Sequence, residues 1–207
     1  MSEGIKVILF DLGGVLVDFD YSIAAKRIIN FCNKTPNEIF NIFFSSDVTF
    51  LFEEGRINPK DFFEEIKDKL DLKLSYEGFV SIWNEIFFLS AKNRAVFSMA
   101  NQLKTEYTIA MITNINILHY EYLKKNFPVF NIFHRVFTSC ELGMAKPNSL
   151  IYQKVLEELK VLPQEVFYID DRPDLVKSAQ ALEIKSVVFR DVVQLKNDLM
   201  NQGVSLN

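Results

Sequence analysis

Asp11, the pair Thr113 and Asn114, Lys146, and the pair Asp170 and Asp171 stand at or shortly after the ends of short apolar runs, far apart along a chain of 207 residues. Carboxylates from two different strands can hold a hard divalent cation. Magnesium suits a site of one or two carboxylates, a backbone carbonyl and several waters. Such a cation neutralises a phosphoryl oxygen, while a hydroxyl, an amide and an ammonium group bind the remaining ones. A carboxylate can then attack phosphorus, and water can release the resulting aspartyl phosphate. Taken singly, most of these residues have plainer readings. Asp11 before Gly13 and Gly14 could cap a turn, Thr113 and Asn114 could open a loop, and Lys146 could be a solvated charge before a helix started by Pro147. Asp170 and Asp171 are different, because two adjacent carboxylates ending an apolar run repel unless a cation or a lysine is near.

Elements that would bring these groups together are legible. Apolar runs at 5–10, 108–112, 135–139, 165–169 and 185–189 read as strands, with helical patterns between most of them. Strands alternating with helices imply an α/β fold with a doubly wound, Rossmann-like parallel sheet. Between 18 and 90 the pattern turns helical. Thr35, Pro36 and Glu38 form a capping box with proline at the first helical position, and Asn58, Pro59 and Asp61 repeat that grammar less perfectly. An insertion that leaves the sheet after its first strand emerges at the ligand-binding edge, so residues 18–90 are expected to form a helical cap over a core made of 1–17 and 91–207. Phe40, Phe43, Phe44, Phe50 and Phe52 are assigned to the interior of the cap, and residues 200–207 to a fraying tail.

The segments Ile8-Leu-Phe-Asp-Leu-Gly-Gly-Val-Leu16, Ile112-Thr-Asn114, Lys146-Pro147 and Tyr168-Ile-Asp-Asp171 resemble, in order and spacing, the four motifs of the haloacid dehalogenase superfamily. The insertion resembles a C1 cap. Residues 52–57, 74–77 and Trp83 resemble the bacterial α-D-glucose-1-phosphate phosphatase-like subgroup. The resemblance implies that Asp11 is the nucleophile and a magnesium ligand, with the Gly13 carbonyl and Asp171 as further ligands. It also implies that Thr113 and Asn114 bind the phosphoryl group, that Lys146 balances Asp11 and phosphate, and that Asp170 supports them, with Asp174 in a lesser supporting role and Leu175 in none. Most phosphatases of the superfamily carry a second aspartate where this chain has Gly13. A missing general acid forfeits about 10²–10⁴-fold. The glucose-1-phosphate phosphatase-like subgroup also has glycine there, and an anomeric oxygen leaves with less help, which favours a sugar 1-phosphate. A phosphate-binding protein without turnover is the alternative. A 2-haloacid dehalogenase ranks lower, since those enzymes work without metal and have no need of paired Asp170 and Asp171.

Other features narrow the expectation. A net charge of −4 gives no basic face for nucleic acid, and 49% apolar with 24% charged residues is a folding composition. Cys32 and Cys140 suit neither a disulfide framework nor a zinc site. With no leader pattern and no apolar run of about 18 residues, a cytoplasmic protein with no membrane partner and a small phosphorylated substrate is expected. His119, Arg56 and Asp18 are minor site candidates, Asp18 as a stand-in for the missing acid, and His134 a weaker one. The 20 phenylalanines against a single tryptophan suit either a bulky core or an apolar face used in self-association.

Overall fold

A computed structural model describes residues 4–44 and 46–206, without the side chain of Phe44. Five parallel strands, β1 (Val7–Phe10), β4 (Thr108–Thr113), β5 (Arg135–Thr138), β6 (Val166–Asp170) and β7 (Lys185–Val188), lie in the order β5-β4-β1-β6-β7. β1 is central and all four of its side chains are buried, so an uninterrupted apolar run is what its position demands. Phe10 pairs with Met111 on one side and Ile169 on the other, which places the carboxyl ends of β1, β4 and β6 level with one another. The strand reversal around β1 creates the switch point where such sheets bind ligands. Strand limits differ from the sequence expectation by one or two residues. The first strand starts at Val7 rather than Ile5, because Lys6 is where the backbone first bonds its neighbours, Glu165 and Thr108.

Helices cover both faces. α6 (Ala91–Leu103) and α11 (Val192–Asn201) pack on one side with Ile8, Phe10, Met111 and Phe167, while α9 (Ser149–Leu159) and α10 (Pro173–Gln180) cover Val7, Leu9, Ala110 and Tyr168 on the other. The expected frayed tail is instead docked. Val204 is buried and the Ser205 amide donates to the Tyr107 hydroxyl, so an apolar residue after the last helix closes the core; Asn207 lies outside the described residues.

Between β2 (Asp18–Phe19) and β3 (Phe87–Phe88), an antiparallel two-residue ribbon, the chain forms α1 (Tyr21–Ile28), α2 (Pro36–Phe44), α3 (Asp47–Glu53), α4 (Pro59–Leu70) and α5 (Tyr76–Asn84). The capping grammar operates as read. Glu38 accepts from the Thr35 amide at 2.9 Å while the Thr35 hydroxyl accepts from the Glu38 amide, and Asn58 accepts from the Lys60 and Asp61 amides. These helices share an apolar centre of their own, where Phe52 stacks on Phe62 at 4.1 Å beside Trp83. Fully burying each such ring contributes about 1.5–3 kcal/mol. Phe43 and Phe52 are buried there, but Phe40 and Phe50 are about half exposed and do not belong to this interior; the Phe44 side chain is outside the described set. Phe50 and Phe52, two positions apart on α3, stand on opposite faces of the helix, so only one of that pair can point inward.

Candidate functional site

Asp11 lies one residue beyond β1, and its amide still donates to the Ile169 carbonyl at 2.8 Å, which extends the sheet register into the site. Thr113 and Asp170 are the last residues of β4 and β6, so three polar groups share one edge because three strands end together. Lys146 enters from the loop between α8 (Ser139–Leu142) and α9. Its Nζ donates to Asp11 Oδ1 at 2.8 Å, Asp170 Oδ2 at 2.7 Å, the Tyr168 hydroxyl at 3.0 Å and the Ile112 carbonyl at 3.2 Å. Asn114 explains how a loop lysine is held so firmly. Its side chain accepts from the Lys146 amide at 2.8 Å and donates to the Lys146 carbonyl at 2.7 Å. One of the two Asn114 amide protons is therefore given to Lys146, while the residue also lines the cavity. Thr113 lines the cavity, and its hydroxyl has no hydrogen-bond partner among the described residues.

Carboxylate oxygens of Asp11, Asp170 and Asp171 lie within 4.8 Å of one another. Asp171 reaches back over Gly14, where a Cβ would stand only 2.1 Å from its Oδ2; Gly14 also has a φ of +69°, so glycine is required twice over. Burial pushes Asp11 up to about 7, with Lys146 pulling it down and Asp170 pushing it up. Burial and the Asp170 charge also raise Asp171. Burial by itself would lower Lys146, yet the two carboxylates outweigh it and keep the ammonium charged. Two of these three clustered carboxyls are bonded to the one ammonium, so when all three are ionised about two negative charges are uncompensated, which is the deficit a divalent oxygen-seeking cation fills.

These groups floor a cavity of about 170 Å³ that the insertion roofs with Phe19, Tyr21, Glu53 and Phe87. Gly13 is at the floor, and a Cβ there would meet the Phe19 ring at 2.9 Å. The place where a second motif-one side chain would project is thus occupied by an aromatic ring.

Several candidates lie elsewhere. Asp174 is exposed and paired with Arg172 at 2.6 Å outside the cavity, whereas Leu175, given no role, contributes to its wall. Asp18 is an ion-pair partner of Lys92 at 3.0 Å. Burial would raise its carboxyl, but hydrogen bonds from Lys92, Ser90 and Asn93 outweigh this and hold it below the usual range, which unsuits it as a proton donor. Arg56 is exposed and faces Glu54, and His134 is bonded to the backbone of Ile109. His119 does line the cavity. Its Nε2 bonds the Trp83 carbonyl and its Nδ1 the Asn116 side chain, each at 3.0 Å, so Nε2 carries the proton and Nδ1 accepts. Burial lowers it to about 3, leaving a neutral ring that joins the insertion to the core.

Sequence reasoning missed Tyr168, whose hydroxyl bonds both Lys146 and Asp170; its place two residues before Asp170 on one strand was a usable signal, because alternate residues share a face. Glu53, Tyr21 and Phe19 left no comparable signal, since their approach depends on how the insertion folds back.

Comparison with known proteins agrees with this geometry. The family model of haloacid dehalogenase-like hydrolases matches residues 5–182. A sesquiterpene phosphatase of Aspergillus oryzae is 25% identical over 192 residues, covering 92% of this chain and 93% of its own. A D-ribitol-5-phosphate phosphatase of Bacteroides thetaiotaomicron is 22% identical over 173 residues, covering 81% and 83%. Among solved structures, a HAD family enzyme from B. thetaiotaomicron in complex with magnesium and inorganic phosphate superposes with a TM-score of 0.80 at 28% identity, covering 91% of this chain and 96% of that one. A 2-haloacid dehalogenase from Pseudomonas syringae shares the fold alone, with a TM-score of 0.63 at 17% identity over 95% of this chain and 99% of its own. With most of its length matched by the family model and the motif residues gathered at one sheet edge, the chain belongs to the haloacid dehalogenase-like hydrolases.

Proposed function

We propose that the protein is a magnesium-dependent phosphatase acting on a small phosphorylated metabolite, with residues 18–90 serving as its cap. The observation that carries this reading is Lys146 bonded at once to Asp11 and Asp170, with Asp171 completing a carboxylate triangle that one ammonium leaves undercompensated. The phosphatase relatives and the magnesium- and phosphate-bound neighbour support it. A sugar 1-phosphate is the substrate form best suited to a site with Gly13, because its anomeric oxygen leaves with less protonation.

Asp11, the Gly13 carbonyl and Asp171 would hold the magnesium ion, whose charge would offset that of the phosphoryl oxygens. Asp11 attacks phosphorus, while Lys146 favours its ionised form and aims it. Asn114 fixes Lys146, and the Thr113 hydroxyl with the neighbouring backbone amides binds the transferring group. Water then cleaves the aspartyl phosphate. Phe19, Tyr21 and Phe87 shield the cavity from bulk water.

Purified protein is expected to hydrolyse p-nitrophenyl phosphate with magnesium, and Asp11→Asn to abolish this. The second reading, a binding protein, draws on the blocked space beside Gly13. Tight magnesium and phosphate binding with no turnover on a broad panel of phosphate esters would establish it and refute the phosphatase.

A further inference from the structure

Gly13 brings no carboxyl to the cavity floor, and the Phe19 ring takes the space one would use, yet an alkoxide leaving group needs a proton. Across the cavity, half-buried Glu53 ends α3 and lines the roof. Two contacts fix its backbone to the core. The buried Ser139 hydroxyl donates to the Glu53 carbonyl at 2.6 Å while accepting from the Ile115 amide at 2.9 Å, so Glu53 is tied to the loop that carries Thr113 and Asn114. Gly55, with a φ of +65°, lies so close to Cys140 that a Cβ would stand 2.1 Å from its carbonyl oxygen. The Glu53 carboxyl itself makes no hydrogen bond among the described residues, and the charged and titratable groups that act on it or feel it are Arg172, Glu54 and Tyr21. Burial pushes it up to about 7, with Arg172 pulling it down and Glu54 pushing it up, which leaves it a proton to give near neutral pH.

Resting on the phosphatase reading above, we infer that Glu53 is the general acid and base of the reaction, supplying from the cap the function that position 13 lacks. In the first half-reaction an Asp11 oxygen bonds to phosphorus, the bond from phosphorus to the substrate oxygen breaks, and the Glu53 proton passes to that oxygen to give a neutral alcohol. In the second, water bonds to phosphorus while giving a proton to the Glu53 carboxylate, and the bond from phosphorus to Asp11 breaks. Inorganic phosphate leaves, Asp11 is a carboxylate again and Glu53 is again protonated.

The test compares kcat/KM for an alkyl phosphate, glycerol 3-phosphate, with that for p-nitrophenyl phosphate, whose nitrophenolate leaves without a proton. This ratio reports only steps up to phosphoryl transfer. Glu53→Gln is expected to lower the alkyl-to-aryl ratio by about 10²-fold, and Glu53→Asp, which keeps an acid at shorter reach, to restore part of it. An unchanged ratio in Glu53→Gln, whether both esters fall together or neither falls, overturns the assignment; an Asp variant as selective against the alkyl ester as the Gln variant also counts against it. A wild-type protein inactive on both esters overturns the phosphatase reading and this inference with it, an outcome distinct from the others.

Discussion

Acidification from about pH 8 to about pH 5 imposes a calculable cost on neutral His119. An unfolded imidazole titrates at 6.5, whereas burial holds the folded ring down at about 3. With the folded value below the unfolded one, the unfolded chain binds more protons, so this contribution is complete above 6.5 and is lost as pH falls towards 3. At pH 5 the unfolded imidazole is mostly protonated and the folded one is not, which removes about 2 kcal/mol of stability relative to pH 8. The figure is set by the unfolded value, because the folded ring stays neutral throughout the window. Asp11 and Glu53, both raised to about 7, act in the opposite sense, since the folded protein is the better proton binder at those sites. A single acid titration of the wild type therefore mixes the signs. His119→Gln removes the titration while keeping a donor towards the Trp83 carbonyl, and loss of stacking on Trp83, 5.0 Å away, lowers its stability at both pH values. Urea unfolding of both proteins at the two pH values is expected to show the wild type losing about 2 kcal/mol more than the variant on acidification. Equal losses would refute a buried neutral imidazole.

Two further outcomes follow from glycines. Gly14→Ala drives a methyl group into Asp171 at a left-handed backbone position, and is expected to weaken magnesium binding about 10–100-fold by calorimetric titration; unchanged affinity would remove Asp171 from the ligand set. In a Glu53→Gln background, Gly13→Asp meets the Phe19 ring, so alone it is expected to leave turnover of an alkyl phosphate unimproved, whereas Gly13→Asp with Phe19→Ala should exceed Phe19→Ala alone by about 10-fold or more. A gain of equal size in the single variant would show that the ring does not control that space.

Much of the core was legible because its signals are local. β1 is buried on both faces and reads as an unbroken apolar run, Thr35 and Asn58 announce helix starts with their own side chains, and Asp170 with Asp171 make little sense without a nearby cation. What remained hidden depends on chain segments meeting. Nothing around Asn114 announces that its amide will clamp Lys146, 32 residues away, and nothing in α3 announces that Ser139 will anchor Glu53. Asp18 misled for a related reason: its neighbours in sequence gave no hint of Lys92 and Asn93, which capture it from the start of α6.

The ribbon of β2 and β3 is only two residues long on each side, yet it joins both connections to the insertion at one narrow place. Phe19 belongs to that ribbon and rests against Gly13. Phe19 thus serves two places at once, pairing with Phe87 to close the base of the insertion and filling the space beside position 13, so a change of this one side chain alters both.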